Sequence, residues 1–299
     1  MTNKRLEKLE GTYPALVTPF RDGKVDEDGY RRLISFQLEE GVDGLVACGT
    51  TGEAATLTPG EYERVVSIAV EAADGKVPVI AGTGSNDTET AIATTNRVTE
   101  LGVDGALIVT PYYNKPTQQG LYRHYAEILE RTEIPVILYN VPSRTGCNLE
   151  PQTAAELADH ERVVGLKEAS GDLKQACRAI ELCGDRLSVV SGEDFLSVPM
   201  IAVGGAGVIS VVANVVPKGF GTMVRAALEG RMGEARKLHY RYMDLADALF
   251  LETNPVPAKT ALAMMDLMEE DVRLPLCPMS GPNREKLADV LQRHELIEP

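Results

Sequence analysis

Apolar, β-branched runs recur along the chain as PALVTPF (14–20), GLVACG (44–49), VPVIAGTG (77–84), GALIVTPYY (105–113), IPVILYNVP (134–142), VVGLKEAS (163–170), LSVVSGE (187–193) and GVISVVANVVP (207–217). Each is apolar nearly throughout rather than alternating, the pattern of a strand covered on both faces. Between them, residues 60–74, 87–101 and 117–132 carry apolar side chains at helical spacing. Several of these segments open with start signals, namely Thr58-Pro59-Gly60-Glu61, Asn86-Asp87-Thr88-Glu89 and Leu149-Glu150-Pro151. Strict alternation of strand and helix predicts parallel strands joined by right-handed crossovers, and eight units can close into an α/β fold of the (β/α)8 TIM-barrel type. An open doubly wound sheet is the alternative. After about residue 230 the strand signals vanish and helical patterns follow at 231–250, 255–269 and 282–294. The expected division is a barrel catalytic domain over 1–230 and a C-terminal helical region over 231–299 packed against it.

One stretch, 195–217, has no charged residue and is long enough to span a bilayer. Pro199, Gly204, Gly205, Gly207 and Asn214 interrupt it, so it reads instead as a short buried helix, a turn and a buried strand. Charge narrows the partners. The 299 residues hold 30 Lys and Arg against 44 Asp and Glu, a net charge of −14, and no cluster of four or more basic residues occurs. A phosphate backbone or an anionic membrane is therefore not an expected partner. The start, MTNKRLEKLEG, builds no apolar stretch of the kind a secretory signal needs, which points to the cytoplasm. Five scattered cysteines without a CxxC pair, Cys48, Cys147, Cys177, Cys183 and Cys277, read as small core residues rather than a disulfide framework or a zinc site.

A barrel of this kind works at the C-terminal ends of its strands. The polar residues there are Gly49-Thr50-Thr51-Gly52-Glu53, Thr110-Pro111-Tyr112-Tyr113-Asn114, the segment from Tyr139 to Gly146, and Lys167-Glu168. Lys167 stands out because it follows Val163, Val164 and Leu166 in a strand expected to be buried. Alternation puts Val163, Gly165 and Lys167 on one face, with Gly165 leaving space beside the lysine. Desolvation disfavours the charged form of a buried amine, and only a neutral amine attacks a carbonyl, so Lys167 is a candidate Schiff-base nucleophile. A lysine paired to Glu168 is the other reading. Tyr139, with Ile137 on its face, can supply the proton shuttle that imine chemistry needs. The Gly49-to-Gly52 turn offers backbone amides and two hydroxyls suited to a carboxylate. Arg144, in the loop Pro142-Ser143-Arg144-Thr145-Gly146, offers a bidentate fork for another.

Other chemistries fit less well. His124, His160, His239 and His294 fall in helical segments rather than at strand ends, which argues against a His-ligated metal hydrolase. Gly204-Gly205-Ala206-Gly207 does not match the dinucleotide fingerprint, and no P-loop or nucleophile elbow is found, so no cofactor or metal is demanded.

The strings PALVTPF, CGTTGEAATLT, VIAGTGSN, VTPYYNKPTQQGLY, LYNVPSRTG, GLKEASGD, GGAGVISVVANVVP and LETNPVPAK occur in this order over nearly the whole chain. In them the sequence resembles the dihydrodipicolinate synthase family of pyruvate-dependent aldolases and lyases, which includes N-acetylneuraminate lyase. The resemblance implies that Lys167 forms an imine with pyruvate and that Tyr139, Thr50 and Tyr113 form a proton relay, with Tyr113 lent across a subunit interface. It implies that Thr51, Gly192 and the backbone around Ile209 hold pyruvate while Arg144 binds the carboxylate of L-aspartate 4-semialdehyde. The product would be 4-hydroxy-tetrahydrodipicolinate, in the committed step of the diaminopimelate route to lysine, made by a homotetramer built as a dimer of dimers. A lyase acting on a sugar acid such as neuraminate or a 2-keto-3-deoxy acid would keep Lys167 and Tyr139, but NVPSRTG with Arg144 favours the synthase. A catalytically silent metabolite-binding barrel is disfavoured because every relay position is present. Lysine-regulated relatives hold the effector at a subunit interface. Here Asn86 and Tyr112 remain from that site, while Pro59, Tyr62 and Thr90 stand where His or Glu is usual and Ala54 replaces a small polar residue. The resemblance thus implies weak lysine inhibition or none, with Glu89 near enough to restore a carboxylate.

Overall fold

The structure is a computed structural model that describes residues 6–298; the first five residues of the charged N-terminal stretch lie outside it. Eight parallel strands form one sheet: β1 (Gly11–Pro14), β2 (Leu45–Ala47), β3 (Val79–Gly82), β4 (Gly105–Val109), β5 (Val136–Asn140), β6 (Val163–Glu168), β7 (Ser188–Ser191) and β8 (Gly207–Ser210). β1 pairs with β8 on one side, and a parallel bridge between Ala15 and Val46 brings it to β2 on the other. The sheet therefore closes into the expected barrel, and the open doubly wound alternative is excluded.

A helix follows every strand: α1 (Glu27–Glu39), α2 (Pro59–Ala73), α3 (Thr88–Glu100), α4 (Gln118–Arg131), α5 (Pro151–Leu157), α6 (Leu173–Cys183), α7 (Ser197–Ala202) and α8 (Pro217–Leu228). The local signals start them as chemistry dictates. Thr58 and Glu61 form a reciprocal capping box with Pro59 at the first helical position of α2, and Asp87 caps α3 by accepting from Thr90 N. Three C-terminal helices, α9 (Met232–Ala248), α10 (Val256–Met264) and α11 (Gly281–Arg293), share one apolar cluster with α8 and β8. Among the described residues no helix is long and apolar enough to cross a membrane.

Two of the predicted strands are displaced or shortened by specific hydrogen bonds. The first run was expected over 14–20, but the strand is Gly11–Pro14. It starts at Gly11, where a Cβ would run into the Asp43 carboxylate that accepts from Thr12 N. Beyond Ala15 the chain is taken over by Asn214, whose side chain accepts from Val17 N and donates to Ala15 O. The last run was expected over 207–217, but β8 ends at Ser210. The Asp194 carboxylate accepts from Val211 N and Val212 N, and Ser210 Oγ accepts from Ala213 N, which bends the β-branched segment into a helical turn.

The barrel interior is a separate cluster fed by every strand, including Tyr13, Val46, Ile80, Leu107, Ile137, Tyr139, Val190 and Ile209, with Val164 packed against it from β6. Leu6 and Leu9 from the N-terminal segment belong to the same cluster; a Cβ on Gly165 would come within 3.0 Å of Leu9. The cysteines are all free: Cys48 and Cys183 are buried, Cys147 and Cys177 half-buried, and Cys277 is exposed, so the expectation of five core cysteines holds fully for only two. Of the histidines, His124 and His239 lie in helices, whereas His160 and His294 stand just past helix ends.

Candidate functional site

Lys167 and Tyr139 are partners in the register between β6 and β5, so parallel pairing sets their side chains next to each other at the end of the barrel interior. Both are buried, and Lys167 Nζ lies 4.3 Å from the centre of the Tyr139 ring. Glu168 is not the partner of the lysine. It accepts from Asn140 Nδ2 (3.1 Å), Gln175 Nε2 (3.2 Å) and Ser170 N (2.7 Å). Among the described residues Lys167 makes no salt bridge. Successive strand residues point to opposite faces, which is why adjacency in sequence does not become a pair in space.

The faces of β6 around Lys167 depart from the strict alternation expected. A register shift between β5 and β6 leaves Val163 opposite Val136 and Gly165 opposite Ile137, so Val163 joins the outer core while Val164 packs on the interior. Gly165 makes room for Leu9 rather than for the lysine. The space beside the lysine comes from Gly192, where a Cβ would lie 2.9 Å from Lys167 Cε and 2.6 Å from Ala169 Cβ. Ile209 is buried in the same interior cluster as Tyr139.

A cavity of about 750 Å³ opens from this end of the barrel, with Thr50, Tyr139 and Arg144 in its wall. Thr50 is exposed and Thr51 buried. In their turn, Gly52 N donates to Gly49 O and Glu53 N to Thr50 O, so those two amides are consumed and only part of the expected amide cradle is free. Thr51 Oγ1 accepts from Asn254 Nδ2 at 2.9 Å. Arg144 sits in a one-turn helix, Pro142–Thr145, that closes with Gly146 in the left-handed region, and its exposed guanidinium has no carboxylate partner among the described residues. Tyr113 is 89% exposed, at a left-handed backbone position, whereas Tyr112 beside it lines the cavity.

Of the residues of the expected effector site, all but Asn86 line the same cavity. Ala54, Pro59, Tyr62, Thr90 and Tyr112 line it. Two of their hydroxyls are engaged within the chain, Tyr62 donating to Gly82 O and Thr90 Oγ1 to Asp87, while the backbone carbonyl of Asn86 accepts from Asn114 Nδ2. Glu89 is bound to Arg131 and does not line the cavity.

Four groups near the site escaped sequence reasoning. Lys259 of α10 donates to Glu53 at 2.6 Å, with both side chains essentially buried, and Glu53 also accepts from Arg273 N. Arg273 grips Glu61 through both carboxylate oxygens and holds that carboxyl at about 2, well below its usual range. Asp194 is fully buried, and burial raises its carboxyl. The neighbouring Glu193 is raised by burial and by Asp194, against the pull of Lys167 and Arg144. Nothing in the local sequence joins residues 200 positions apart, and the string LETNPVPAK was informative only as a resemblance.

Comparison with known proteins bears on the whole chain. A 4-hydroxy-tetrahydrodipicolinate synthase of Thermodesulfovibrio yellowstonii is 54% identical over 97% of this chain and 99% of its own. A solved dihydrodipicolinate synthase, 48% identical, superposes with a TM-score of 0.95 over 97% of this chain and 100% of its own. A dihydrodipicolinate synthase variant described as monomeric, 44% identical, gives the same TM-score over 97% and 98%. Residues 8–294 match the dihydrodipicolinate synthetase family. With that match spanning the barrel and its C-terminal helices, the chain belongs to the dihydrodipicolinate synthetase family.

Proposed function

We propose that this chain uses Lys167 as the Schiff-base nucleophile of a 4-hydroxy-tetrahydrodipicolinate synthase. The reaction condenses pyruvate with L-aspartate 4-semialdehyde and belongs to lysine and diaminopimelate biosynthesis. The observation that carries the residue assignment is the buried lysine over Tyr139 with no salt bridge among the described residues. Lys167 Nζ attacks the carbonyl carbon of pyruvate, and the carbinolamine loses water as protons pass through the Tyr139 hydroxyl. Loss of a methyl proton gives an enamine, whose carbon attacks the aldehyde carbon of the second substrate. The amino group of that substrate then displaces Lys167 from the imine carbon, which closes the ring and frees the lysine. Thr50, in the cavity wall, and Tyr113 extend the relay.

Thr51, Gly192 and the backbone at Ile209 are assigned to pyruvate, and Arg144 to the carboxylate of aspartate semialdehyde. An exposed guanidinium without a protein partner supports that last role. Tyr113, almost wholly exposed beside a cavity-lining tyrosine, is assigned to a neighbouring subunit's site in a cytoplasmic homotetramer. The catalytic unit is assigned to 1–230 and the helical region to 231–299. The effector site is degenerate, because Tyr62 and Thr90 spend their hydroxyls within the chain and Glu89 spends its charge on Arg131. An assay with pyruvate and aspartate semialdehyde, coupled to a reductase that consumes the cyclic product, tests the function. Turnover that needs both substrates is expected; preferential cleavage of N-acetylneuraminate or a 2-keto-3-deoxy acid would contradict it.

A further inference from the structure

Thr51 is a buried hydroxyl that accepts one hydrogen bond and gives none among the described residues. Asn254 Nδ2 donates to its Oγ1 at 2.9 Å, and among the described residues the hydroxyl has no acceptor of its own. A hydroxyl carries one proton and two lone pairs, so with one lone pair used its proton is free to be donated. Asn254 is 6% exposed, and its Oδ1 is buried with no partner. Folds rarely tolerate an unpaired buried acceptor, so keeping an amide at this position asks for a reason beyond packing.

Asn254 does not come from the barrel. It stands just ahead of α10, and α10 is tied to the end of β2 by the Lys259 to Glu53 ion pair, two residues from Thr51. Asn254 also lines the cavity together with Thr50 and Tyr139. We infer that Asn254 is a positioning residue that, by donating to Thr51 Oγ1, turns the Thr51 O–H proton toward the carboxylate of pyruvate held as an imine on Lys167. The inference rests on the function proposed above and extends the site to the C-terminal helical region. That region then helps recognise the 2-oxo acid, a task the barrel strands alone do not complete.

Asn254→Ala leaves the Thr51 hydroxyl free to rotate, so the apparent KM for pyruvate should rise about tenfold, the size of one hydrogen bond to a charged group. The KM for aspartate semialdehyde and kcat at saturating pyruvate should stay within about twofold. Asn254→Ser should behave in the same way and provides a second variant should the first fail to fold. In a Thr51→Val background the Asn254→Ala change should add less than about twofold, because the group it acts through is gone. Multiplying effects in that double variant, or equal KM changes for both substrates, would overturn the role. The half-saturating pyruvate for borohydride labelling of Lys167 provides a readout independent of turnover and should rise with KM. Wild-type labelling with an unshifted midpoint in Asn254→Ala overturns the Asn254 role alone, whereas no labelling of wild type takes down both it and the reading beneath it.

Discussion

Among the described residues two lysines are buried, and the fold treats them in opposite ways. Lys259 meets Glu53 at 2.6 Å, lies over the Phe20 ring, and shares its carboxylate with a backbone amide of the Arg273 segment. Lys167 lies over an aromatic ring as well, yet the carboxylate next to it in sequence is turned away and saturated by Asn140, Gln175 and Ser170. A buried charge without a salt bridge costs several kcal/mol, so of the two it is the unpaired lysine that fits the nucleophile role proposed above. Lys259 fastens the C-terminal helices to the barrel mouth. Lys167 is left with its nitrogen free beside a phenol.

The largest effect is expected at the paired site. Lys259→Met should strand the Glu53 carboxylate in the core and lower the unfolding free energy by about 3–5 kcal/mol. Adding Glu53→Gln should recover part of that loss in urea titrations, and an unchanged midpoint for the single variant would mean that the pair is not holding the two regions together. At the unpaired site the signature is reversed. Tyr139→Phe should lower kcat by about 10² or more with little change in the unfolding midpoint. A large stability loss with normal turnover would make Tyr139 a core residue only.

His124 sharpens the contrast with a third case, a buried base that has neither a carboxylate contact nor a reaction. Its Nδ1 meets Thr88 Oγ1 at 2.9 Å, its Nε2 is buried and unpartnered, and burial pushes its pKa down to about 4, opposed by Asp87. The unfolded chain therefore binds a proton below about pH 6.5 that the folded chain refuses until about pH 4. Stability should fall as pH drops through that window, by up to about 3 kcal/mol, and His124→Gln should flatten that part of the curve. Identical pH profiles for the two proteins would show that His124 takes up its proton without cost. The smallest effect is expected from L-lysine. Each missing charge-assisted contact weakens binding by about tenfold or more, so millimolar lysine should leave initial rates nearly unchanged. Half-inhibition below a millimolar would show that the cavity lined by Pro59, Tyr62 and Thr90 still reads lysine.

What the sequence discloses follows the range of the interactions involved. Strand and helix alternation and the caps at Thr58 and Asp87 are set by neighbours in the chain, and both could be read in advance. The bulge that turns Val163 outward could not, because a register shift is decided by how β5 meets β6. Gly192 rather than Gly165 clears the space for the lysine because the two glycines differ in what lies across the barrel from them. Asn254, Lys259 and Arg273 were silent for the same reason, since their partners at Thr51, Glu53 and Glu61 are brought to them only when the C-terminal helices dock.

Borohydride reduction of the protein in the presence of pyruvate tests the central claim, that of the two buried lysines only the one without a carboxylate does chemistry. One reduced pyruvyl group per chain should be found on Lys167 by peptide mass analysis, absent from Lys167→Ala and undiminished in a folded Lys259→Met. Labelling of Lys259, or unchanged labelling of Lys167→Ala, would contradict the account.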